Sequence, residues 1–402
     1  MANTIKLGTN GNWATKEGSL LAYNDENNNF KPLPFTTTRA SSATVVNKQG
    51  LIETVGSGIP RIDFKDDAKG ALLLEPTATN LVTYSEDFSN ASWTKSELSV
   101  VDGFTSPSGT LNAKKITESG ANSKHQISST ISSYTELTIS FFAKKAERSF
   151  ISVEKSGWGT TVFNLNDGSV VSGTGSVVDF GNGWYKCSST YTASPAQTQF
   201  YILIMEDAST VIYQGDSTSG LYLWGVQAEH LSYATSYIKT IGTTQTRVSD
   251  TVSGSGNSTV INSTEGVLYA EISTLTELGI FRQINISKDS SNRIYVSKRA
   301  DNGKLEFRME NPLGQLNFSF VQDTTTEFVK VAFRYGVNNF AVFINGVNKN
   351  VTPTGNIFTA GTLNKLSLDN GSNTQPFYGK TKSVQVYNTA LSDAELISLT
   401  TI

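Results

Sequence analysis

The sequence predicts an all-β chain of two antiparallel jelly-roll sandwiches in series behind an irregular N-terminal segment. Three observations predict it. Charged residues make up only 17% of the 402 residues, against about 25% in an average globular protein. Ser, Thr, Asn and Gly take their place, a mix that favours strands and polar turns over solvated helices. Apolar residues recur with a period of two, as in Leu137, Ile139, Phe141 and Ala143, which puts one face of an extended strand in a core. Turn signals such as Asn166-Asp167-Gly168 and Gly181-Asn182-Gly183 separate these runs.

The elements follow in order. Residues 1–78 lack sustained periodicity. Asn27-Asn28-Asn29, Pro32 and Pro34 interrupt them, with short strand candidates only at 43–46 and 72–74. Such a segment can fold alone, drape over a neighbouring subunit, or do both. A chain this poor in continuous apolar faces often needs a partner for order, and we read it as an attachment segment. Residues 79–240 run strand after strand. Phe200–Met205 is apolar on both faces, as a central sandwich strand can be. Residues 241–257, with Thr243-Thr244-Gln245-Thr246 and Gly254-Ser255-Gly256-Asn257, read as a linker. Residues 258–402 begin a second series. Leu268, Ala270 and Ile272 share a face, and 328–335 and 339–344 form a hairpin. Asn345-Gly346 supplies the φ > 0 pair of a type I′ turn. Ser392 caps a short terminal helix, and Glu395 completes a capping box.

The bulk numbers exclude several classes. Hydrophobic residues make up 38%, enough for real cores, and net charge is −3 with no basic stripe. Clustered Lys and Arg are what phosphate binding needs, so nucleic acid is not an expected partner. The one cysteine, Cys187, excludes an internal disulfide framework and reads as a small buried hydrophobe. The first residues, Met1-Ala2-Asn3-Thr4-Ile5-Lys6, lack the regions of a signal peptide. No apolar run approaches the ~20 residues of a membrane span.

Three stretches carry a resemblance. The first runs from Thr38-Arg39-Ala40-Ser41-Ser42 through Gly50-Leu51-Ile52-Glu53, Pro60-Arg61-Ile62-Asp63-Phe64 and Gly70–Glu75 to Thr79-Asn80-Leu81. It resembles the N-terminal portion of many bacteriophage virion proteins. The second opens at Asn80-Leu81 and Trp93-Thr94-Lys95. It closes at Leu223-Trp224-Gly225-Val226-Gln227-Ala228-Glu229 and Thr235–Thr240. It resembles a carbohydrate-binding-module-like jelly roll common in the same proteins. The third, Val342–Val347 with Val386-Tyr387-Asn388-Thr389-Ala390-Leu391-Ser392-Asp393-Ala394-Glu395-Leu396, resembles the end of a laminin-G/concanavalin-A-like sandwich.

Concanavalin-A-like folds include glycosidases, so the chemistry has to be tested. A retaining glycosidase needs two carboxyl groups about 5 Å apart across the sugar. A Glu-x-Asp-x-Glu run would place them on one strand face, and the sequence has none. His125 and His230 are polar-flanked and read as surface residues. With Cys187 they are too scattered for zinc. The Gly-x-Gly runs at 56–58, 173–175 and 254–256 lack a third glycine and a following helix, so they read as turns. Sugar binding remains. Trp158, between Gly157 and Gly159, either projects from a loop towards a sugar or covers an edge of its own core, with Phe163 and Asn164 on the next strand. Trp184, Tyr185 and Trp224 read as core. The resemblance also implies a structural calcium ion, with Glu229, Asp369 and Asn370 as candidate oxygen ligands.

The expectation is a non-enzymatic virion structural protein, a fibre or spike subunit or a capsid decoration, assembled in the host cytoplasm. Its partners are other virion proteins through residues 1–78, and host-surface polysaccharide. The alternatives are a dedicated glycan-binding recognition protein and a polysaccharide-degrading tail enzyme. The strand edge at Leu72-Leu73-Leu74 invites pairing with another chain, so a homo-oligomer is expected. The resemblance to fibres and spikes implies a trimer.

Overall fold

The computed structural model describes residues 3–16, 19–24, 31–155, 159–275, 281–312, 314–324 and 327–402. The regular structure of the described residues is antiparallel strand, with one α-helix at Asp393–Thr400 and a short 3-10 turn at Thr9–Gly11. No described helix is long and apolar enough to cross a membrane.

The chain forms two compact units. One comprises residues 43–54 and 77–248. Its strands follow the spatial order Leu98–Phe104, Ala113–Glu118, Gly220–Glu229, His125–Lys145, Trp184–Met205, Phe150–Lys155, Gly159–Asn164 and Ser169–Ser172. The two long strands, His125–Lys145 and Trp184–Met205, pair with each other along most of their length. Register shifts between 130 and 136 break that ladder. On one side of the break Trp184–Met205 pairs with Phe150–Lys155. On the other, His125–Lys145 pairs with Gly220–Glu229. The same strands thereby serve both layers of a sandwich, as irregularities let strands turn corners. Between the layers lie Leu137, Ile139, Phe141 and Ala143, as their alternation predicts, with Ile151, Ile202, Ile204, Leu221 and Leu223. Cys187 joins this core as a free, buried thiol, and burial pushes its pKa up.

A second apolar layer lies on the opposite face of the same strands. Phe142, Trp184, Trp224 and Tyr237 cluster there with Val46 and Ile52, which come from the paired strands Ala43–Val46 and Ile52–Val55. The Trp224 and Tyr237 rings are 4.5 Å apart, and Phe142 meets Trp224 edge-on at 5.2 Å. Trp184 and Trp224 are core residues, as expected.

The other unit comprises residues 1–42, 55–76 and 249–402. One of its sheets has five strands, ordered Gly314–Phe320, Leu305–Asn311, Asn292–Lys298, Arg282–Asp289 and Lys365–Ser367. The other runs Ala14–Lys16, Ser19–Asn24, Asn3–Leu7, Gly379–Tyr387, Glu265–Thr274, Val329–Gly336, Ala341–Ile344 and Val347–Asn348. Leu268, Ala270 and Ile272 face the core of this unit, with Ile284, Ile286, Ile294, Val296, Leu305 and Phe307. The alternate residues Val267 and Tyr269 lie beneath the terminal helix with Leu391 and Leu396. Val331 pairs with Ile344 in the expected hairpin, and Asn345 and Gly346 both have positive φ. The Ser392–Glu395 capping box is formed.

The partition differs from the one the sequence predicts at its N-terminal end. Residues 1–78 are not a separate segment. Asn3–Leu7 pairs with Gly379–Tyr387, and Ile5, Leu7, Leu20 and Ala22 are fully buried in the second unit's core. Each run is too short to build a core, so each completes the face of a sheet whose other strands lie hundreds of residues away. The Ala71–Leu74 edge that invited another chain is met by Gly379–Thr381 of the same chain. The expected linker is also built in. Gln245–Arg247 pairs with Ala78–Asn80, and Thr251–Ser253 with Thr36–Thr38. Between them, Asp250 is buried and accepts from Arg39 at 2.9 Å and from Arg61. Arg61 also donates to Glu75 at 2.6 Å. Removing one member of such a network would leave an unpaired buried charge, at a cost of ~3–5 kcal/mol.

Candidate functional site

The sugar-binding candidates do not converge. Trp158 lies outside the described residues. Phe163, on Gly159–Asn164, is fully buried and meets Phe141 edge-on at 5.8 Å between the layers of its sandwich. A ring packed this way offers no face to a sugar, which corrects the expectation for Phe163. Asn164 begins a turn: its Oδ1 accepts from the Asn166 amide at 3.0 Å.

Glu229, named from the sequence as a candidate calcium ligand, serves as a tether. It is fully buried, and its carboxylate accepts from the Thr235 amide at 3.0 Å and the Thr235 hydroxyl at 2.5 Å. Burial pushes its pKa up, and hydrogen bonds from Thr235 oppose that shift. Gln227 accepts from the Ile238 amide at 2.7 Å, and Asn80 donates to the Ile238 carbonyl at 2.8 Å. The Thr44 hydroxyl donates to the Tyr237 carbonyl at 2.7 Å. The stretch from Leu223 to Thr240, where the resemblance to a carbohydrate-binding-module-like jelly roll ends, is thus a strand followed by a strap, held by side chains on the strand. His125 is buried rather than exposed, with Nδ1 2.7 Å from the Glu97 carbonyl oxygen.

Asp369 is 1% exposed and belongs to the other unit. Its Oδ1 accepts from the Gly371 amide at 2.5 Å, and burial pushes its carboxyl up. Neighbouring Asn370 spends its side chain inside the turn. Its Oδ1 accepts from the Ser372 and Thr374 amides at 3.0 and 3.2 Å, and its Nδ2 donates to the Thr374 hydroxyl at 2.6 Å. Its side chain has nothing left for a metal. No group of three or more His, Cys, Asp or Glu among the described residues is placed to hold a metal ion.

The face of the five-stranded sheet turned away from its core carries a polar ladder that sequence reading missed. Tyr295, Ser297, Glu306 and Glu310 on it are buried, and Arg293 and Arg308 are half-buried. While Ile284, Ile294, Val296 and Phe307 face the core, their alternate neighbours carry charge and hydrogen-bonding groups. Cross-strand register sets Arg293 opposite Glu310, Tyr295 opposite Arg308, and Ser297 opposite Glu306. The next strand adds Asn317 opposite Arg308 and Gln315 opposite Glu310, both exposed. Arg293 Nε donates to Glu310 at 2.7 Å, and its guanidinium lies 4.6 Å from the centre of the Tyr295 ring. Arg308 lies 3.0 Å from Glu310, and Arg299 lies 2.9 Å from Glu306. Alternation within Leu305–Asn311 was visible in the sequence. The pairing of those strands, which makes the ladder, was not.

A polar ladder of guanidinium, carboxylate and amide groups suits a hydroxyl-rich ligand. It does not suit glycoside hydrolysis. Glu306 and Glu310 are four residues apart on one strand, hence ~13 Å apart. The two carboxyls of a glycosidase stand about 5–9.5 Å apart. Each of these two is also held by an arginine.

The fold is that of an all-β protein built from antiparallel β-sandwiches. Residues 274–397 match the Laminin_G_3 model, described as the concanavalin A-like lectin/glucanases superfamily. No curated protein is a significant match in sequence. Among solved structures, the chain is similar to the CBM40 domain of Ruminococcus gnavus IT-sialidase bound to α2,3-sialyllactose. That likeness is at 20% identity, covers 37% of this chain and 93% of that one, and has a TM-score of 0.29. It is also similar to domains LG4-5 of the mouse laminin α1 chain, at 11% identity over 83% and 95% of the two chains, with a TM-score of 0.23. The leech intramolecular trans-sialidase matches at 18% identity over 37% and 26%, with a TM-score of 0.27. At these scores no functional argument passes from those structures to this chain.

Proposed function

We propose that this chain is a non-catalytic structural protein of a bacteriophage virion that binds glycan through the outer face of its five-stranded sheet. The observation that carries the glycan reading is the half-buried pair Arg293 and Arg308, backed by buried Tyr295 and Glu310 and rimmed by exposed Gln315 and Asn317. Planar guanidinium groups fix pairs of oxygens in space, and the exposed amides supply further donors and acceptors. The non-catalytic reading rests on the spacing and pairing of Glu306 and Glu310. The virion reading rests on the resemblance of residues 38–81 and 223–240 to phage particle proteins, and antibody labelling of particles in the electron microscope tests it.

A glycan array tests the adhesive function. The wild-type chain should show saturable binding, Arg308→Ala should lose it at least tenfold, and host polysaccharide should release no new reducing ends. Absence of saturable binding would leave a purely architectural protein. Reducing-end release would make it an enzyme.

A further inference from the structure

We propose that Asn182 is a site of spontaneous covalent modification, converted by water to aspartate and isoaspartate through a cyclic imide with the Gly183 nitrogen. The sequence holds five Asn-Gly pairs: Asn10-Gly11, Asn182-Gly183, Asn302-Gly303, Asn345-Gly346 and Asn370-Gly371. Each is chemically capable, because a glycine nitrogen with no Cβ beside it can approach the preceding side-chain carbonyl carbon. The fold separates them.

In four pairs the glycine amide is already donating. Gly11 donates to the Gly8 carbonyl at 2.9 Å and Gly303 to the Arg299 carbonyl at 3.1 Å. Gly346 donates to the Thr400 hydroxyl at 3.1 Å, and Gly371 to Asp369 Oδ1 at 2.5 Å. Three of the asparagines are held as well. Asn302 Oδ1 accepts from the Lys304 amide, Asn345 Oδ1 from the Lys330 amide, and Asn370 Oδ1 from the Ser372 and Thr374 amides. Asn182 and Gly183 differ on both counts. Both are exposed, and among the described residues neither the Gly183 amide nor the Asn182 side chain has a hydrogen-bond partner. The turn around them is nevertheless closed. The Phe180 amide donates to the Trp184 carbonyl at 2.8 Å, the Trp184 amide to the Gly181 carbonyl at 2.9 Å, and the Gly181 amide to Asp179 Oδ1 at 2.6 Å. The Lys144 side chain runs past this turn, with its ε carbon 3.5 Å from where a Cβ on Gly183 would stand. A cation there favours loss of the amide proton.

The Gly183 nitrogen gives up that proton to hydroxide and attacks Asn182 Cγ. The Cγ–Nδ2 bond breaks, ammonia leaves, and a five-membered ring closes. Water then opens the ring at one of its two carbonyls. Opening at Cγ leaves aspartate. Opening at the original backbone carbonyl leaves isoaspartate, whose chain runs through Cβ and Cγ. Either product puts a carboxylate where a neutral amide stood. Isoaspartate also lengthens the turn by one carbon just before Trp184, which is buried against Phe142 and Trp224. The modified chain should therefore melt lower than the fresh one.

The test incubates the full chain in mildly alkaline buffer below its melting transition and follows all five asparagines by peptide mass spectrometry, with isoaspartyl methyltransferase labelling to mark the isoaspartate. Asn182 should react roughly tenfold faster than each of the other four, the factor that one released hydrogen bond represents. Its rate should rise with pH, and in denaturing urea its lead should disappear. Asn182→Gln, which would need a six-membered ring, should end the reaction in this turn and leave the other four rates unchanged. A first product at another Asn-Gly pair would overturn the proposal. A lead for Asn182 that persists in urea would assign the selectivity to local sequence and overturn the role of the fold.

Discussion

The two units solve the same problem in opposite ways. The unit of residues 43–54 and 77–248 takes nearly all of its core from one continuous stretch. The unit of residues 1–42, 55–76 and 249–402 assembles one core from three stretches, so Ile5 and Leu7 share it with Val384 and Val386. The first arrangement asks each strand to be apolar on one face and to meet a neighbour from the same continuous stretch. The second needs contacts between the two ends of the chain, whose loop closure must be achieved before any burial rewards it. A buried ionic network spans the stretches of the discontinuous unit. Arg39, Arg61, Glu75 and Asp250 join segments of the discontinuous unit that no local hairpin connects.

Deleting residues 1–24 is the largest test of that contrast. It removes Ile5, Leu7 and Leu20, all fully buried, each worth ~1.5–3 kcal/mol of burial. It also strips one partner from Gly379–Tyr387. The loss is of the order of a whole domain's ~5–15 kcal/mol. Calorimetry should show the transition of the discontinuous unit lost or lowered by tens of degrees, with that of the continuous unit in place. Two unchanged transitions would restore residues 1–24 to the role of a free attachment arm.

What the sequence disclosed follows the same divide. Period-two alternation reports which face of a strand is buried, not which strand it pairs with. Leu137, Ile139, Phe141 and Ala143 were legible because they alternate along one strand, although their partners lie about 40 to 90 residues away. So were Asn345-Gly346 and the Ser392–Glu395 box, whose chemistry is local. Ile5 and Leu7 were illegible because their partner strand, Gly379–Tyr387, lies at the other end of the chain. The candidate sites behaved alike. Asp369 was named from its residue type, and no local motif announces its burial or its bond from the Gly371 amide. The arginine–glutamate ladder required the register of three strands.

Phe163→Ala is the intermediate test, confined to the continuous unit. Loss of a fully buried ring in contact with Phe141 should cost ~3–5 kcal/mol. The transition of the continuous unit should fall while that of the other stays put. Any glycan affinity of the five-stranded sheet face should be unchanged at temperatures where the variant is folded. A variant that melts like the wild type but loses glycan binding would return Phe163 to the role of a sugar-stacking residue.

The smallest expected effect concerns Glu229, which asks whether local tethering in the continuous unit relies on charge. Burial raises the Glu229 pKa in the folded state, against the opposing hydrogen bonds of Thr235 and the nearby Lys186 ammonium. A carboxyl with a raised folded pKa binds its proton more tightly when folded. The stability this contributes is fully present below the unfolded value of about 4.3 and is lost as pH rises through the folded value. Glu229→Gln keeps an oxygen for the Thr235 amide and removes the titration. The melting temperature of the wild type minus that of Glu229→Gln should therefore be most positive in acid and fall as pH rises. Other carboxylates cancel in that difference, because both proteins carry them. A difference that is flat from about pH 4 to 8 (the window in which a raised carboxyl titrates) would mean that Thr235 and Lys186 fully offset the burial. A difference that grows with pH would mean that the tether works as a charged group after all.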